Sequence, residues 1–378
     1  MLKYPQVGSA FECRVETPAS TSNPSATNKS LTLVIRRPLK EGADGCVYDV
    51  EAKGRPERFV SKSAHEAAYD DEIAKEHQVV SAVYDKCQRE GRLSCVPTPI
   101  GCPEVDTATG KRNVLVLAKL QCTLADLMDE YKRLAGNALL PTVAVLEILA
   151  SSIEALESCH SAKVIHRDIN LTNVMFPGRW GGRLRAMLID MTRSLLFHVD
   201  DDQKRAKWVG RGKSMVSTFA YASKWSLRGY QQGPRDDIMA VVRCLLSCLH
   251  PTLTLARVSS SADELTGAYE AHCDTDCDHP EVIQAAEKLI ASRATTDERW
   301  ISFIVSPLPT SIRANVRDSL LRLVSKVEDF PFGRLDGGVY QELKRDIASI
   351  ESTIASCSED TYHKESLETA FKRAVRTD

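Results

Sequence analysis

The feature that most constrains the fold is a change of hydrophobic pattern near residue 120. Before it, LTLVIRR (31 to 37), CVYDV (46 to 50), ERFVSK (57 to 62) and NVLVLAKL (113 to 120) alternate or cluster β-branched and aromatic residues between Gly and Pro breaks, as strands do. One stretch among them, DDEIAKEHQVVSAVYDKC (70 to 87), has helical spacing at Ile73, Val79, Val80 and Val83. After residue 120 the pattern is helical in LADLMDEYKRL (124 to 134), VAVLEILASSIEALESCH (143 to 160) and DDIMAVVRCLLSCL (236 to 249), and again over about 281 to 292, 311 to 327 and 338 to 356. Residues 257 to 280 read as a polar loop, and no repeat recurs at a fixed period. A sheet with one helix followed by a mainly helical part is an α+β arrangement.

A chain of 378 residues with 43% hydrophobic content can bury a core of two domains or two lobes. Residues 18 to 30, PASTSNPSATNKS, are almost free of apolar side chains, so residues 1–30 read as a mobile N-terminal segment and order is expected from about Leu31. The 49 basic and 51 acidic side chains nearly cancel, so global charge directs the chain to neither nucleic acid nor anionic membrane. No apolar run approaches the roughly 20 residues needed to cross a bilayer. The 12 cysteines are scattered through apparent helices and strands with no signal-peptide pattern, which reads as reduced thiols and an intracellular place, cytoplasm or nucleus. His272, Cys273, Cys277 and His279 crowd into HCDTDCDH (272 to 279); four ligands in eight residues close a zinc tetrahedron poorly, and a solvated acidic loop is the preferred reading.

VIHRDINLTNVMF (164 to 176) sets a carboxylate and a carboxamide five positions apart between apolar flanks. It fits the template H-R-D-x-x-x-x-N, in which the Asp accepts the proton of a substrate hydroxyl and the Asn holds a metal ion; those roles fall on Asp168 and Asn173. A second carboxylate, Asp190, follows an apolar run 22 residues later, where the metal-binding Asp of D-F-G stands, although Met191 and Thr192 replace Phe and Gly. Mg²⁺ bound to ATP takes hard oxygen ligands, which Asn173 and Asp190 supply.

Upstream, LKEGADGCVYDV (39 to 50) is similar to a glycine-rich phosphate loop, with Gly42, Gly45 and Val47 in place and Lys40 at the first Gly position. Lys62 ends a strand 20 residues after Gly42, where a lysine would meet the α- and β-phosphates once a helical Glu orients it. Glu72 and Glu76 both offer the carboxylate; Glu76 is preferred because it lies beside the stripe of Val79, Val80 and Val83.

In that order these parts resemble the eukaryotic-type protein kinase family across about residues 33 to 330. STFAYAS (217 to 223) and GPRDDIMAVV (233 to 242) are similar to segments of the casein kinase I and vaccinia-related group. The resemblance implies a bilobal protein-kinase-like fold with an N-lobe over 31–120, a C-lobe over 121–330 and a C-terminal helical extension over 331–378. It implies ATP in the cleft between lobes, with Leu39 and Val47 over the adenine, Leu117 to Leu120 as hinge, Gly42, Gly45, Lys62 and Glu76 at the phosphates, and Asn173 and Asp190 on Mg²⁺. Thr218 would face Asp168, and Asp237 would brace the catalytic loop.

The implied activity is transfer of the γ-phosphate to protein substrates, on Ser or Thr because HRDINLTN lacks the tyrosine-kinase pattern; a monomer is the default. Asn170 stands where casein kinase I-type enzymes have Lys, so it is expected to cost the γ-phosphate a cation, which Asn170→Lys would restore with a higher kcat. Such departures in a compact chain suit a divergent member of the kind large DNA viruses carry. The rivals are a pseudokinase scaffold, which would lack one of Lys62, Asp168, Asn173 or Asp190, and a small-molecule kinase, which would lack the STFAYAS-type segment.

Overall fold

Alternation of inward and outward side chains builds a six-stranded antiparallel sheet in the first part of the chain. A computed structural model describes residues 7–15, 30–41, 45–54, 57–107, 110–135, 140–177, 184–196, 219–228, 230, 232–248, 261–268, 271, 280–305, 308–328, 330, 337–356 and 361–374. They group into two compact units: Met1–Leu120 with Ile189–Ser194, and Gln121–Leu188 with Leu195–Asp378.

The sheet of the first unit is formed by β1 (Ala10–Arg14), β2 (Ser30–Glu41), β3 (Gly45–Ala52), β4 (Arg58–Ala64), β8 (Leu115–Ala118) and β5 (Pro99–Gly101), in the order β1-β2-β3-β4-β8-β5. Because side chains alternate along a strand, one face gathers Leu33, Ile35, Tyr48, Val50, Phe59 and Val116 into a buried core. The other face carries the cross-strand row Val47, Lys62 and Leu115. The sheet curls until its edges approach. A Cβ added to Gly101 on β5 would stand 2.6 Å from the carbonyl oxygen of Arg14 on β1, so only glycine fits there. Gly45 is held by a similar approach, its added Cβ falling 2.2 Å from the carbonyl oxygen of Ser63.

Ordered structure thus starts before Leu31, because β1 pairs with β2 from Ala10↔Val34 to Arg14↔Ser30. The expectation of a mobile 1–30 segment is corrected for residues 10–14; residues 16–29 lie outside the described ones. The hairpin of β6 (Glu104–Thr107) and β7 (Gly110–Asn113) is a further addition to the strands read from sequence. Its partner is α1 (Asp70–Arg89), whose buried Ile73, Val79, Val80, Val83 and Cys87 form the stripe expected of it. The first turn of α1 carries Asp70, Asp71 and Glu72, favourable at the positive end of a helix.

In the second unit the described helices are α2 (Leu124–Ala135), α3 (Thr142–Ser161), α4 (Lys224–Leu227), α5 (Pro234–Ser247), α6 (261–268), α7 (Pro280–Val305), α8 (Thr310–Glu328), α9 (Gly337–Ala355) and α10 (Thr361–Ala374). All residues of α5 are buried, the charged Arg235, Asp236, Asp237 and Arg243 included. Helix α9 packs on α3 and α10 on α2, with Phe371 of α10 edge-on to Phe176. Helix α6 overturns part of the loop expected over 257–280; Ala262 and Leu265 are buried there against Val282, Ala286 and Leu289 of α7. The α+β class read from the sequence holds. No helix among the described residues is long and apolar enough to cross a membrane.

Candidate active site

In the first unit Lys62 is placed by its strand. Val47 on β3 and Leu115 on β8 flank it in register, which aims its side chain off the face opposite the apolar core. Glu76 is placed by α1, and α1 by Arg112 of β7. The Arg112 guanidinium reaches both carboxylate oxygens of Asp70 at 3.0 Å and donates to the carbonyl of Ala64 at 2.8 Å, tying the helix N-terminus to the end of β4. Glu76 is then buried two turns along, while Glu72 faces solvent.

The Lys62 ammonium meets Glu76 Oε2 at 2.9 Å, Asp190 Oδ1 at 2.7 Å and Thr192 Oγ1 at 2.6 Å. Its three N–H groups therefore have three acceptors. Burial works against the charge of Lys62, but the carboxylates of Glu76 and Asp190 outweigh it and hold the ammonium above the usual lysine range. Glu76 is also tied by its other oxygen, Oε1, to the backbone N–H of Met191 at 3.0 Å. Asp190 adopts φ 63°, a left-handed conformation that Asp tolerates better than most residues. Leu39 and Val47 are half-buried on β2 and β3, whereas Gly42 lies outside the described residues.

In the second unit the loop 166–173 hangs between β10 (Val164–Ile165), paired with β13 (Leu195–Leu196), and β11 (Val174–Phe176), paired with β12 (Met187–Leu188) and β9 (Cys122–Thr123). The five-residue interval closes a turn: Asn173 Nδ2 donates to the carbonyl of Asp168 at 2.9 Å and approaches its Oδ2 at 3.3 Å. With the amide nitrogen committed, the hard carbonyl oxygen Oδ1 of Asn173 takes no hydrogen bond from the described residues and suits Mg²⁺, as does the carboxylate of Asp190. Among the described residues no cluster of three or more His, Cys, Asp or Glu could hold a metal by itself.

Asn170 behaves differently from its expected part as a missing cation. Its Oδ1 accepts from the backbone N–H of Thr172 at 2.9 Å, the hydroxyl of Thr172 at 2.8 Å and the backbone N–H of Asn173 at 3.1 Å. The carboxamide organises the turn that carries Asn173, a task lysine has no acceptor to perform.

Behind the loop stands Asp237 of α5. Its Oδ2 accepts the backbone N–H of His166 at 2.7 Å, and it also takes the Nε2–H of His160 at 3.0 Å. Burial raises its pKa, but these donors and the N–H of Arg167 overcome that and keep the carboxyl below the usual range. His160, having given Nε2–H to a carboxylate, accepts at Nδ1 from the hydroxyl of Tyr340 on α9. The sequence pattern around Asp237 pointed to this brace; Tyr340, some hundred residues further on, carried no signal. Thr218 and the HCDTDCDH cluster lie outside the described residues.

The family model described as fungal protein kinase matches residues 140–239, about a quarter of the chain, from the start of α3 through Asp168, Asn173 and Asp190 into α5. No curated protein matches the chain. The match speaks for protein kinases at large and lends nothing to a casein kinase I kinship or a viral source. With the α+β fold and the two residue sets just described, it makes the chain protein-kinase-like.

Proposed function

We propose that the chain is an active protein kinase that transfers the γ-phosphate of Mg-ATP to Ser or Thr hydroxyls of protein substrates. The observation that carries this reading is the intact charge set of each unit: Lys62 paired with Glu76 at 2.9 Å in the first, and Asp168 closed onto Asn173 at 2.9 Å in the second. Phosphoryl transfer asks the protein chiefly for positioning and charge, because little covalent chemistry is left to it. Lys62 neutralises the α- and β-phosphates, and Glu76 keeps its ammonium oriented. Asp168 accepts the proton of the acceptor hydroxyl as oxygen attacks phosphorus. Asn173 and Asp190 hold Mg²⁺, which when bound offsets charge on the phosphate oxygens. Leu39 and Val47 cover the adenine. The intervals and partners of these residues in this chain support each role.

One observation favours a second reading, a weak or inactive kinase that serves as a nucleotide-regulated scaffold: the three N–H groups of Lys62 already have acceptors within the protein. Asp168→Asn decides between them. On the kinase reading it lowers transfer of labelled γ-phosphate to generic protein substrates by about a thousandfold or more and leaves nucleotide affinity within roughly twofold, since Asp168 serves the hydroxyl. Nucleotide binding without transfer in the wild type would establish the scaffold, and turnover unchanged by Asp168→Asn would remove Asp168 from the reaction. Acid hydrolysis of the labelled product reads phosphoserine and phosphothreonine against phosphotyrosine.

A further inference from the structure

We propose that Thr192 is a positioning residue, its hydroxyl fastening the carboxylates of Glu76 and Asp190 to the single ammonium of Lys62. The inference deepens the kinase reading above and rests on it for the identity of the ligand. The family pattern that the sequence resembles has glycine at this position, which has no side chain to offer, so the function belongs to this chain's own residue.

The geometry is specific. Thr192 Oγ1 lies 2.6 Å from Lys62 Nζ, 2.9 Å from Glu76 Oε2 and 2.7 Å from Asp190 Oδ1. An ammonium has no acceptor and an ionised carboxylate no donor, so the roles are fixed: Thr192 accepts from Lys62 and gives its one proton to either carboxylate. The Lys62 side chain is only 13% exposed and that of Glu76 only 1%, so water competes little for the bonds to these two, while Asp190, at 33%, is the open end of the cluster. The backbone adds a second tie, the Met191 N–H on Glu76 Oε1 at 3.0 Å. Glu76 therefore grips two successive residues after Asp190, and through Thr192 the position of α1 is coupled to the orientation of the Asp190 carboxylate. Hydrogen bonds to charged groups are the stronger kind, and their loss in a dry site leaves charged partners unsatisfied.

The test uses the full chain with Thr192→Ser, which keeps the hydroxyl, Thr192→Val, which keeps the shape, and Thr192→Ala, which loses the hydroxyl without adding a methyl. Competitive acylation with acetic anhydride, read at Lys62 by mass spectrometry without nucleotide, reports how firmly the ammonium is held. Lys62 should label several-fold faster in the Val and Ala variants and at the wild-type rate in Ser. In phosphotransfer, the KM for ATP should rise roughly five- to tenfold in Val and Ala with a smaller fall in kcat, and Ser should restore both. Equal Lys62 labelling and equal KM in wild type and in the Val and Ala variants would overturn the proposal, as would a Ser variant as impaired as Val. If the labelling difference appears while the wild type neither binds ATP nor transfers phosphate, the kinase reading fails and the role of Thr192 in holding Lys62 stands.

Discussion

Asp237 Oδ1 accepts the backbone N–H of Arg167 at 2.8 Å, and Arg167 is one of three non-glycine described residues with positive φ, at 73°. A left-handed conformation at arginine costs on the order of 1 kcal/mol and persists only where surroundings enforce it. Here the buried carboxylate of Asp237 enforces it, gripping together the N–H groups of His166 and Arg167, the two residues directly before Asp168.

Asp237→Ala should accordingly do two things. It strands two backbone N–H groups and the Nε2–H of His160 in a buried site, which should destabilise the second unit by about 3 kcal/mol or more. It should also lower turnover at least tenfold at temperatures where the variant remains folded, while the KM for ATP changes less, since Lys62 and Glu76, to which we assign the nucleotide phosphates, lie in the other unit. Thermal melting and a kcat-against-KM comparison check both. A variant that keeps its wild-type turnover when folded would show that Asp237 supports stability alone.

Asn170 supplies the second prediction, in the direction opposite to the one its sequence position suggests. Three donors converge on its Oδ1, so removing that acceptor unties Thr172 and Asn173. Asn170→Ala and Asn170→Lys should each lower kcat about tenfold, and Asn170→Asp, which keeps an acceptor, should retain most of it. A rise in kcat with Asn170→Lys would restore the missing-cation idea.

Legibility followed the range of the interactions. The α+β class was legible because pattern is local: the alternation in ERFVSK and the stripe at Val79, Val80 and Val83 are each set within a few residues. Strand β1 was hidden because AFECR is short and stands before a polar stretch, its partner β2 being needed to make it a strand. Helix α6 was hidden because SADELTGA is polar overall; Ala262 and Leu265 gain their meaning only from α7. In the candidate site, spacing pointed to Lys62, Glu76, Asp168, Asn173 and Asp190. The parts played by Thr192 and Asn170 looked like losses in a comparison of letters, since a template says which group is missing and not what its replacement bonds to.

The third prediction concerns stability of the sheet. Alternation sends Ser61 and Ser63, on either side of Lys62, to the apolar face where Phe59, Tyr48 and Val116 pack, and both hydroxyls are buried without a hydrogen-bond partner among the described residues. A buried, unmade hydroxyl bond costs roughly 1–3 kcal/mol. Ser61→Ala should therefore stabilise the protein by about 1 kcal/mol, raising the melting temperature by about 2 °C with unchanged nucleotide affinity. A lower melting temperature in Ser61→Ala would show that the hydroxyl has a partner in solution, such as a bound water.

The last prediction turns on pH. Asp236, beside Asp237 at the start of α5, is fully buried; burial pushes its carboxyl up to about 6, although Arg235, the Ser223 hydroxyl and the Gly233 N–H all oppose the shift. The unfolded chain would titrate this group near its ordinary value of 3.8. A carboxyl whose folded pKa is raised binds its proton more tightly when folded, so its contribution to stability is full below 3.8 and is lost as pH rises through about 6. Between pH 5 and pH 7 that loss amounts to about 1 kcal/mol. Asn at this position cannot ionise, and its carbonyl oxygen can still accept from Gly233 N–H, which Asp236 Oδ2 now takes at 2.7 Å. Other ionisable groups change charge in the same window, so the informative quantity is a difference of differences: wild type should lose about 1 kcal/mol more than Asp236→Asn on going from pH 5 to pH 7 in urea unfolding. Parallel pH profiles for the two proteins would mean that Asp236 is ionised at pH 5 in the folded chain, its two donors and the charge of Arg235 having outweighed its burial.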